Sequence, residues 1–263
     1  MDGTYDLTLL FGSFWVAALA AYAAFDLGGR IALFDGGEAR FWLGLGALTV
    51  GSAIWASHLI GMKAFGLPLP LSFDLRLSLL SWVAAVLVAL LALVLIGRDG
   101  IGTAGVAGGA ALMGVGLCIV HYGGLFALRL TPQIRYDSEL FSASMFLAVM
   151  ASITLLVIGA STRRLPLGQL LAARCSGALL TGAAICAMHC TGMTAAQFPA
   201  DAVCAPGNEL SGTWIGLPLA GFVACVTVVM LLLSMLDAIR LRVQRRVQRE
   251  RFEARFRGRL ARG

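Results

Sequence analysis

The sequence predicts an all-α membrane protein with seven transmembrane helices, arranged as three parallel two-helix repeats plus one further helix. Of the 263 residues, 59% are hydrophobic and only 13% are charged, whereas a soluble domain has about 25% charged residues. The hydrophobic residues form seven long runs, and a membrane-spanning helix needs about 20 apolar residues. All three histidines of the chain recur in one short motif, which predicts the repeat.

The seven apolar runs correspond to the seven predicted helices. They hold much of the glycine of the chain, 32 residues in all, and small residues let membrane helices approach closely. The chain does not begin with the basic region of a signal peptide, so we expect the first run to be retained as a helix. The runs are Leu7–Leu27, Phe41–Phe65, Leu77–Ile96, Ile101–Leu128, Leu140–Gly159, Leu170–Phe198 and Trp214–Leu236.

Positive charge predicts which side of the membrane faces the cytoplasm. Ten arginines follow Leu236, and six more lie on the same side of the predicted topology, against four Lys and Arg residues on the other side. We therefore predict an inner (plasma) membrane protein with its N-terminus outside and its C-terminus in the cytoplasm. Residues 1–236 form the membrane domain, and residues 237–263 form a basic cytoplasmic tail. We expect the tail to lie on the anionic headgroups of the lipid bilayer or to contact a signalling module, and not to bind nucleic acid.

The histidines occupy the same place in three copies of one motif. Each histidine is followed by Gly three residues later and is preceded by Gly seven and twelve residues earlier. The intervals between histidines are 63 and 68 residues, about two membrane helices each, so the copies run through the membrane in the same direction. The second, fourth and sixth helices carry the motifs in their outer third. The copies read Trp55–Met62, Cys118–Leu125 and Cys186–Met193.

Helical geometry predicts that the three motifs face one another. At about 100° per residue, the histidine, the Gly seven residues before it and the residue four positions after it share one face of the helix. An ionisable residue inside a membrane points into the bundle rather than into lipid. We therefore expect the three faces to meet around a common axis, with the glycines allowing close approach.

The residue types in the motifs predict a transition-metal site. Neutral imidazole is a common metal ligand, and a Met four residues after a His shares its helix face. Imidazole with thioether and thiol favours copper over magnesium, calcium or manganese. No Asp or Glu occurs in any copy, which argues against a hydrolytic zinc site and a carboxylate-bridged di-iron site. The predicted ligands are His58, His121, His189, Met62, Met193, Met188 and Cys190.

A purely structural role for the histidines and a cofactor other than copper are the alternatives. A single buried histidine is usually a hydrogen-bonded core residue, but three copies at one depth favour a shared metal or cofactor site. Haem or another transition metal is the alternative to copper at such a site.

The motifs resemble the MHYT domain, a bacterial integral-membrane sensor module named for Met-His-Tyr-Thr. Met188, His189 and Thr191 supply three of its letters, and His121-Tyr122 supply the other pair. The resemblance covers roughly residues 7–236. It implies a sensor whose His and Met residues bind copper and through it perceive a diatomic gas (oxygen, carbon monoxide or nitric oxide) or the redox state.

The resemblance also implies an output through a cytoplasmic signalling partner. Members of this family often continue into domains that make or degrade cyclic di-GMP, or into a histidine kinase. The 27 residues after the last predicted helix are too few for such a domain, so we expect a stand-alone module or a piece of a longer protein. The second copy departs from the pattern because Leu125 stands where the others have Met, which predicts an asymmetric site.

Two other functions fit the same residues. One is a membrane metalloenzyme that oxidises or oxygenates a lipid-soluble substrate, although we do not expect a catalytic output domain in this chain. The other is a transporter of copper or protons, which would need a polar path across the membrane. The inner halves of the motif helices carry few polar residues, among them Thr49 and Thr181. The oligomeric state stays open, a homo-oligomer included.

Overall fold

The computed structural model describes residues 4–31, 34, 36–67, 72–98, 100–162, 165–204, 209–210, 218–233, 235–236, 239–240 and 243. Among these residues, six helices are long and apolar enough to cross a membrane. They are α1 (Leu7–Ile31), α2 (Gly36–Ala64), α3 (Leu75–Gly97), α4 (Thr103–Phe126), α5 (Ser138–Thr162) and α6 (Leu167–Ala195). A shorter apolar helix, α7, covers Pro218–Leu233.

The predicted helical membrane fold is confirmed for the first six helices. The seventh predicted helix, Trp214–Leu236, lies partly outside the described residues, and α7 covers its middle. Seven membrane spans therefore remain a prediction. The predicted basic tail, residues 237–263, falls almost entirely outside the described part of the chain. The sixth helix ends at Ala195 rather than at Phe198, because Ala196–Gln197 forms a short strand instead.

The six long helices form a closed ring. Each helix packs against the next one in the chain, and α6 closes the ring against α1. The even-numbered helices α2, α4 and α6 end where the odd-numbered helices α3 and α5 begin, at the end of the bundle that carries the histidines. We call this the histidine end. The core holds many alanines, whose small side chains allow the helices to pack closely.

The same set of hydrogen bonds around an aspartate occurs three times at the histidine end. An aspartate before each of α1, α3 and α5 accepts hydrogen bonds from two backbone N–H groups in the first turn of its helix. Such a cap satisfies donors that the helix itself leaves unpaired. The backbone N–H of the same aspartate donates to a backbone carbonyl at the C-terminal end of the next helix in the chain, which is α2, α4 or α6. These bonds join Asp6 to Ala64 (2.7 Å), Asp74 to Ala127 (2.7 Å) and Asp137 to Ala195 (2.9 Å).

Short antiparallel strands tie the loops of the histidine end together. Three pairs of strands form, and the segment after α6 contributes one strand to each of them. The other strand of each pair lies in the loop between α2 and α3 or in the loop between α4 and α5. The pairs are β1 (Phe73–Asp74) with β6 (Glu209–Leu210), β2 (Leu130–Thr131) with β5 (Val203–Cys204), and β3 (Arg135–Tyr136) with β4 (Ala196–Gln197). The histidine end is thus covered by chain that links all three repeats.

Candidate metal centre

The three histidines meet at the histidine end of the bundle. Each lies near the C-terminal end of α2, α4 or α6. The ring centroids of His58 and His121 are 5.1 Å apart, those of His58 and His189 5.4 Å, and those of His121 and His189 5.0 Å. One ring nitrogen from each residue lies within 4.8 Å of the other two. The structure therefore places the histidines together, as the repeated motif predicts.

The histidine rings are buried and largely without hydrogen-bond partners. Their exposed fractions are 7% for His58, 1% for His121 and 5% for His189. Among the described residues, Nε2 of His58 and both ring nitrogens of the other two have no partner. A buried polar group without a partner costs about 1–3 kcal/mol, and most buried polar groups in native proteins are paired. The rings of His121 and His189 face the backbone of Gly192 and Gly61, which leaves most of the ring nitrogens available to a bound ligand.

The glycine three residues after each histidine lies against the ring of another histidine. A Cβ atom on Gly61 would lie 2.7 Å from Nε2 of His189, closer than non-bonded atoms approach. The same holds at the two equivalent glycines, so a side chain at any of them would push a ring out of place. The contacts run in cyclic order: His58 on Gly124, His121 on Gly192 and His189 on Gly61.

The glycine seven residues before each histidine has a different neighbour from the one we expected. A Cβ atom on Gly51 would lie 2.5 Å from Cα of Val86 in α3, so this glycine lets the backbones of α2 and α3 approach. Gly114 and Gly182 have the equivalent role against α5 and α1. The expectation that these glycines face the other histidine helices is therefore wrong. Two turns away from the histidines, the nearest neighbour is the odd-numbered helix of the next repeat.

Two of the predicted methionine ligands lie in an apolar cluster at the histidine end, which we call the apolar cap. Met62 and Met193 are each 1% exposed and pack there with Leu125, the residue that replaces methionine in the second copy. The cap also contains aromatic rings from the loops, among them Phe73 and Phe198. These two methionines therefore share an apolar environment, and their role as ligands stays a prediction.

Two sulfur-containing residues of α6 share a cavity with the histidines. Met188 and Cys186 line a cavity of about 20 Å³ together with all three histidines. Cys186 was not among the predicted ligands, although its position one turn before His189 would have indicated it. Cys190 lies beside Cys186 and Tyr5. Burial, followed by the neighbouring Cys190, raises the pKa of Tyr5 above its ordinary value.

A second repeated motif, on the odd-numbered helices, was not predicted from the sequence. A serine follows each capping aspartate by seven residues, and all three serines are buried. The hydroxyl of Ser13 donates to the carbonyl of Ser57 at 2.6 Å, and that of Ser81 donates to the carbonyl of Val120 at 3.2 Å. Both acceptors immediately precede a histidine. The pattern Asp-x6-Ser was visible in the sequence, and it marks the residues that hold the histidine helices in place.

The third serine does not donate to a histidine helix: the hydroxyl of Ser144 donates to the carbonyl of Phe141 in its own helix at 2.7 Å. Ser144 and the hydroxyl of Tyr122 are hydrogen-bonded at 2.5 Å. The ring of Tyr122 makes edge contacts with that of His121, with centroids 4.7 Å apart, and with that of Tyr136, with centroids 5.4 Å apart. Burial, with the nearby Tyr122, raises the pKa of Tyr136 to about 12. The surroundings of His121 are therefore more aromatic than those of His58 or His189.

The donor set fits a transition metal bound by nitrogen. Three nitrogens that lie within 4.8 Å of one another can be as near as about 2.8 Å to a common point, against metal–imidazole bonds of about 2.0–2.1 Å. Small side-chain movements would close that difference. The cluster found among the described residues consists of histidines without a carboxylate, which is unlike the oxygen-rich sites of magnesium or calcium.

Comparison with known proteins identifies the repeat. Residues 51–109 and 114–173 match the MHYT model, described as a bacterial signalling protein N-terminal repeat. The chain belongs to the MHYT domain family. The first matched segment includes His58 and the second includes His121. The resemblance inferred from the motifs is therefore confirmed.

The curated relatives of this MHYT chain are much longer proteins. It is 39% identical over 236 residues to the bifunctional diguanylate cyclase/cyclic di-GMP phosphodiesterase MucR of Pseudomonas aeruginosa, covering 89% of this chain and 34% of MucR. The cyclic di-GMP phosphodiesterase NbdA of the same organism is 33% identical over 192 residues, covering 73% of this chain and 24% of NbdA.

A third relative comes from another bacterium. The signalling protein YkoW of Bacillus subtilis is 26% identical over 208 residues, covering 79% of this chain and 26% of YkoW. The chain therefore spans between about a quarter and a third of the relatives it matches. No solved structure matches it.

Proposed function

We propose that this chain is a membrane-embedded sensor domain that binds copper through His58, His121 and His189 and signals to a cytoplasmic partner. The observation that carries the proposal is the group of three buried imidazoles. One nitrogen of each lies within 4.8 Å of the other two, and five of the six ring nitrogens lack partners among the described residues. The similarity to three proteins named for signalling or for cyclic di-GMP turnover supports the signalling role.

Copper is the metal that suits the donors near this cluster. Neutral imidazole binds several transition metals, and thioether and thiol ligands add a preference for copper(I). Met188 and Cys186 already share a cavity with the histidines. Met62, Met193 and Cys190 stay predicted as adjustable ligands. A bound copper ion would supply a centre that changes its redox state or takes up a diatomic gas.

The packing of the rings links ligation to helix position. Each histidine ring lies against the backbone of another even-numbered helix at a glycine, so there is no side chain that could move aside. A change in the position of one ring therefore moves a helix rather than a neighbouring side chain. Interiors packed in this way transmit small displacements. We propose that such a displacement passes through α6 and α7 to the cytoplasmic side, with the orientation that the arginines predict.

The middle of the bundle favours a sensor over a transporter. Beyond the histidines, the described helices line the axis mainly with alanine and aliphatic side chains, which offer no series of ligands to a copper ion or to protons. The metalloenzyme alternative predicts turnover of a lipid-soluble substrate with oxygen, and an assay of substrate oxidation separates it from a sensor.

Metal analysis of the purified chain tests the proposal. We expect copper to co-purify with the wild-type protein and to be lost from the variants His58→Ala, His121→Ala and His189→Ala. Equal metal content in wild type and variants would reject the site. A visible spectrum with a strong Soret band would show that haem, rather than copper, is bound.

A comparison of two methionine variants tests whether Met188 is a copper ligand. Met188 and Met230 are both 4% exposed, but only Met188 lines the cavity of the histidines. We expect Met188→Leu to weaken copper(I) binding and Met230→Leu to leave it unchanged. Equal affinities in the two variants would remove Met188 from the ligand set.

A further inference from the structure

A small cavity lies on the axis of the bundle, farther from the histidine end than the histidines are. Its volume is about 30 Å³, and all six long helices contribute to its lining. Most of the lining residues are alanines and aliphatic residues, such as Ala20, Ala89 and Met113. We call this space the axial cavity.

The axial cavity adjoins the cavity of the histidines. Ala17, Ile54, Leu117 and Ile185 line both spaces, so only the walls formed by these residues separate them. The histidine rings therefore have the apolar cap on one side and an apolar space on the other. A molecule in the axial cavity would lie on the side of the rings where Met188 and Cys186 are found.

The lining of the axial cavity is poorly suited to water. A buried water molecule typically makes about three hydrogen bonds. Two hydroxyl groups belong to the lining, but that of Ser152 already donates to the carbonyl of Ala148 at 2.9 Å. The hydroxyl of Thr181 has no partner among the described residues. Both hydroxyl oxygens can also accept, but the other side chains of the lining are hydrocarbon or thioether. Apolar cavities of this kind stay dry and bind small apolar molecules.

We propose that the axial cavity is a binding site for a small neutral apolar molecule of about two atoms, held next to the histidines. Its volume exceeds the ~10–15 Å³ needed to hold one water molecule, but the cavity is too small for an organic metabolite. Its significance for sensing rests on the proposed function, because a diatomic gas stored there would be one layer of side chains away from the predicted copper ligands. Such molecules dissolve in lipid, and the site lies among the membrane-spanning helices.

Xenon is a suitable probe, because it is apolar, small and inert towards metals. We would measure its binding to the full chain in lipid nanodiscs by xenon NMR. Wild type should bind xenon, and Ala20→Val and Ala89→Val should lose it because the added methyl groups fill the cavity. The matched controls Ala23→Val and Ala53→Val change alanines that are equally buried but do not line the cavity, and they should retain it.

A pair of smaller substitutions tests the proposal if the valine variants fail to fold. Ala20→Ser and Ala89→Ser add one polar atom each and should weaken xenon binding, because a hydroxyl group favours water over xenon in the cavity. No xenon binding by wild type, or equal binding by the lining variants and the controls, would overturn the proposal.

Copper content measured on the same samples separates the two proposals. The lining variants should keep their copper, since they leave the histidines unchanged. Copper binding without the expected xenon pattern would reject the axial cavity alone. The expected xenon pattern in a protein without copper would reject the proposed metal site alone.

Discussion

The two ends of the bundle differ in how their buried ionisable side chains are paired, although Nε of Arg174, like the imidazoles, has no partner among the described residues. At the end away from the histidines, Asp26 of α1 accepts hydrogen bonds from Arg30 at 2.6 Å and from Arg174 of α6 at 2.7 Å, so the buried carboxylate is fully engaged. At the histidine end, three buried imidazoles keep unpaired nitrogens among the described residues. The ion pair holds α1 against α6, whereas the imidazoles keep nitrogen atoms to which a ligand can bind. The ion pair therefore has a structural role, whereas the unpaired imidazoles are what the proposed metal site requires.

The largest expected effect is at the paired end. Asp26→Ala leaves Arg174 buried without its carboxylate, and breaking a buried ion pair in this way costs about 3–5 kcal/mol. Thermal unfolding in detergent should show this loss. The copper content of the protein that remains folded should not change. Asp201→Ala, at an exposed position, is the control and should unfold like wild type. An unchanged stability of Asp26→Ala would show that the ion pair does not hold the bundle together.

The second effect concerns two adjacent glycines of α4. Gly124→Ala places a methyl group in the position of the His58 ring, whereas an added Cβ at Gly123 meets nothing within 4 Å. We expect Gly124→Ala to lose copper and to cost about 1–3 kcal/mol through overpacking. Gly123→Ala should gain about 0.5–1 kcal/mol, because alanine favours the helix. Similar copper binding by the two variants would contradict the close contact between ring and backbone.

The third effect has the opposite sign to the first. In the metal-free protein, His121→Leu removes an imidazole whose two nitrogens lack partners among the described residues. Replacing an unsatisfied buried polar group by an apolar one should raise the free energy of unfolding by about 1–2 kcal/mol. In the presence of copper the order should reverse, since only wild type gains from binding. A destabilised metal-free variant would indicate that the imidazole already has a structural partner.

The smallest effect is a dependence on pH at a helix cap. Backbone N–H groups of Leu77 and Arg76, together with the Arg129 guanidinium, lower the pKa of Asp74. Its ionised form is therefore favoured in the folded state. The resulting stability is present above the ordinary carboxyl pKa of about 4 and is lost as the pH falls through the lowered value. Asp74→Asn should flatten unfolding profiles over that acidic range, and an unchanged profile would exclude the contribution.

The helices and the meeting of the histidines were predictable because both leave a periodic record in the sequence. Long apolar runs reflect membrane thickness, and the H-x2-G spacing reflects one contact made three times. That spacing showed that the motifs converge, but not that each glycine receives the ring from another copy. The direction of a contact depends on helix tilt, which a single motif does not encode.

The loop strands and the surroundings of the methionines were not predictable, for physical reasons. Paired strands of two residues, such as Leu130–Thr131, are too short to produce an alternating pattern. The environment of Met62 in the apolar cap depends on aromatic residues from distant loops. The Asp-x6-Ser repeat was different, since its signal was present in the sequence. It lies on the odd-numbered helices, whereas an alignment on the histidines directs attention to the even-numbered ones.

The cyclic contacts of rings on glycines have the geometry of a homotrimer enclosed in one chain. Each two-helix unit presents a histidine to one neighbour and a glycine to the other, which is a head-to-tail interface that closes after three copies. Separate subunits of a true trimer would have to change together. Fusion into a single chain lets one unit acquire Tyr122 and Leu125 while the other two keep their own residues. The surroundings of the three histidines can thus become asymmetric while the helical framework remains threefold.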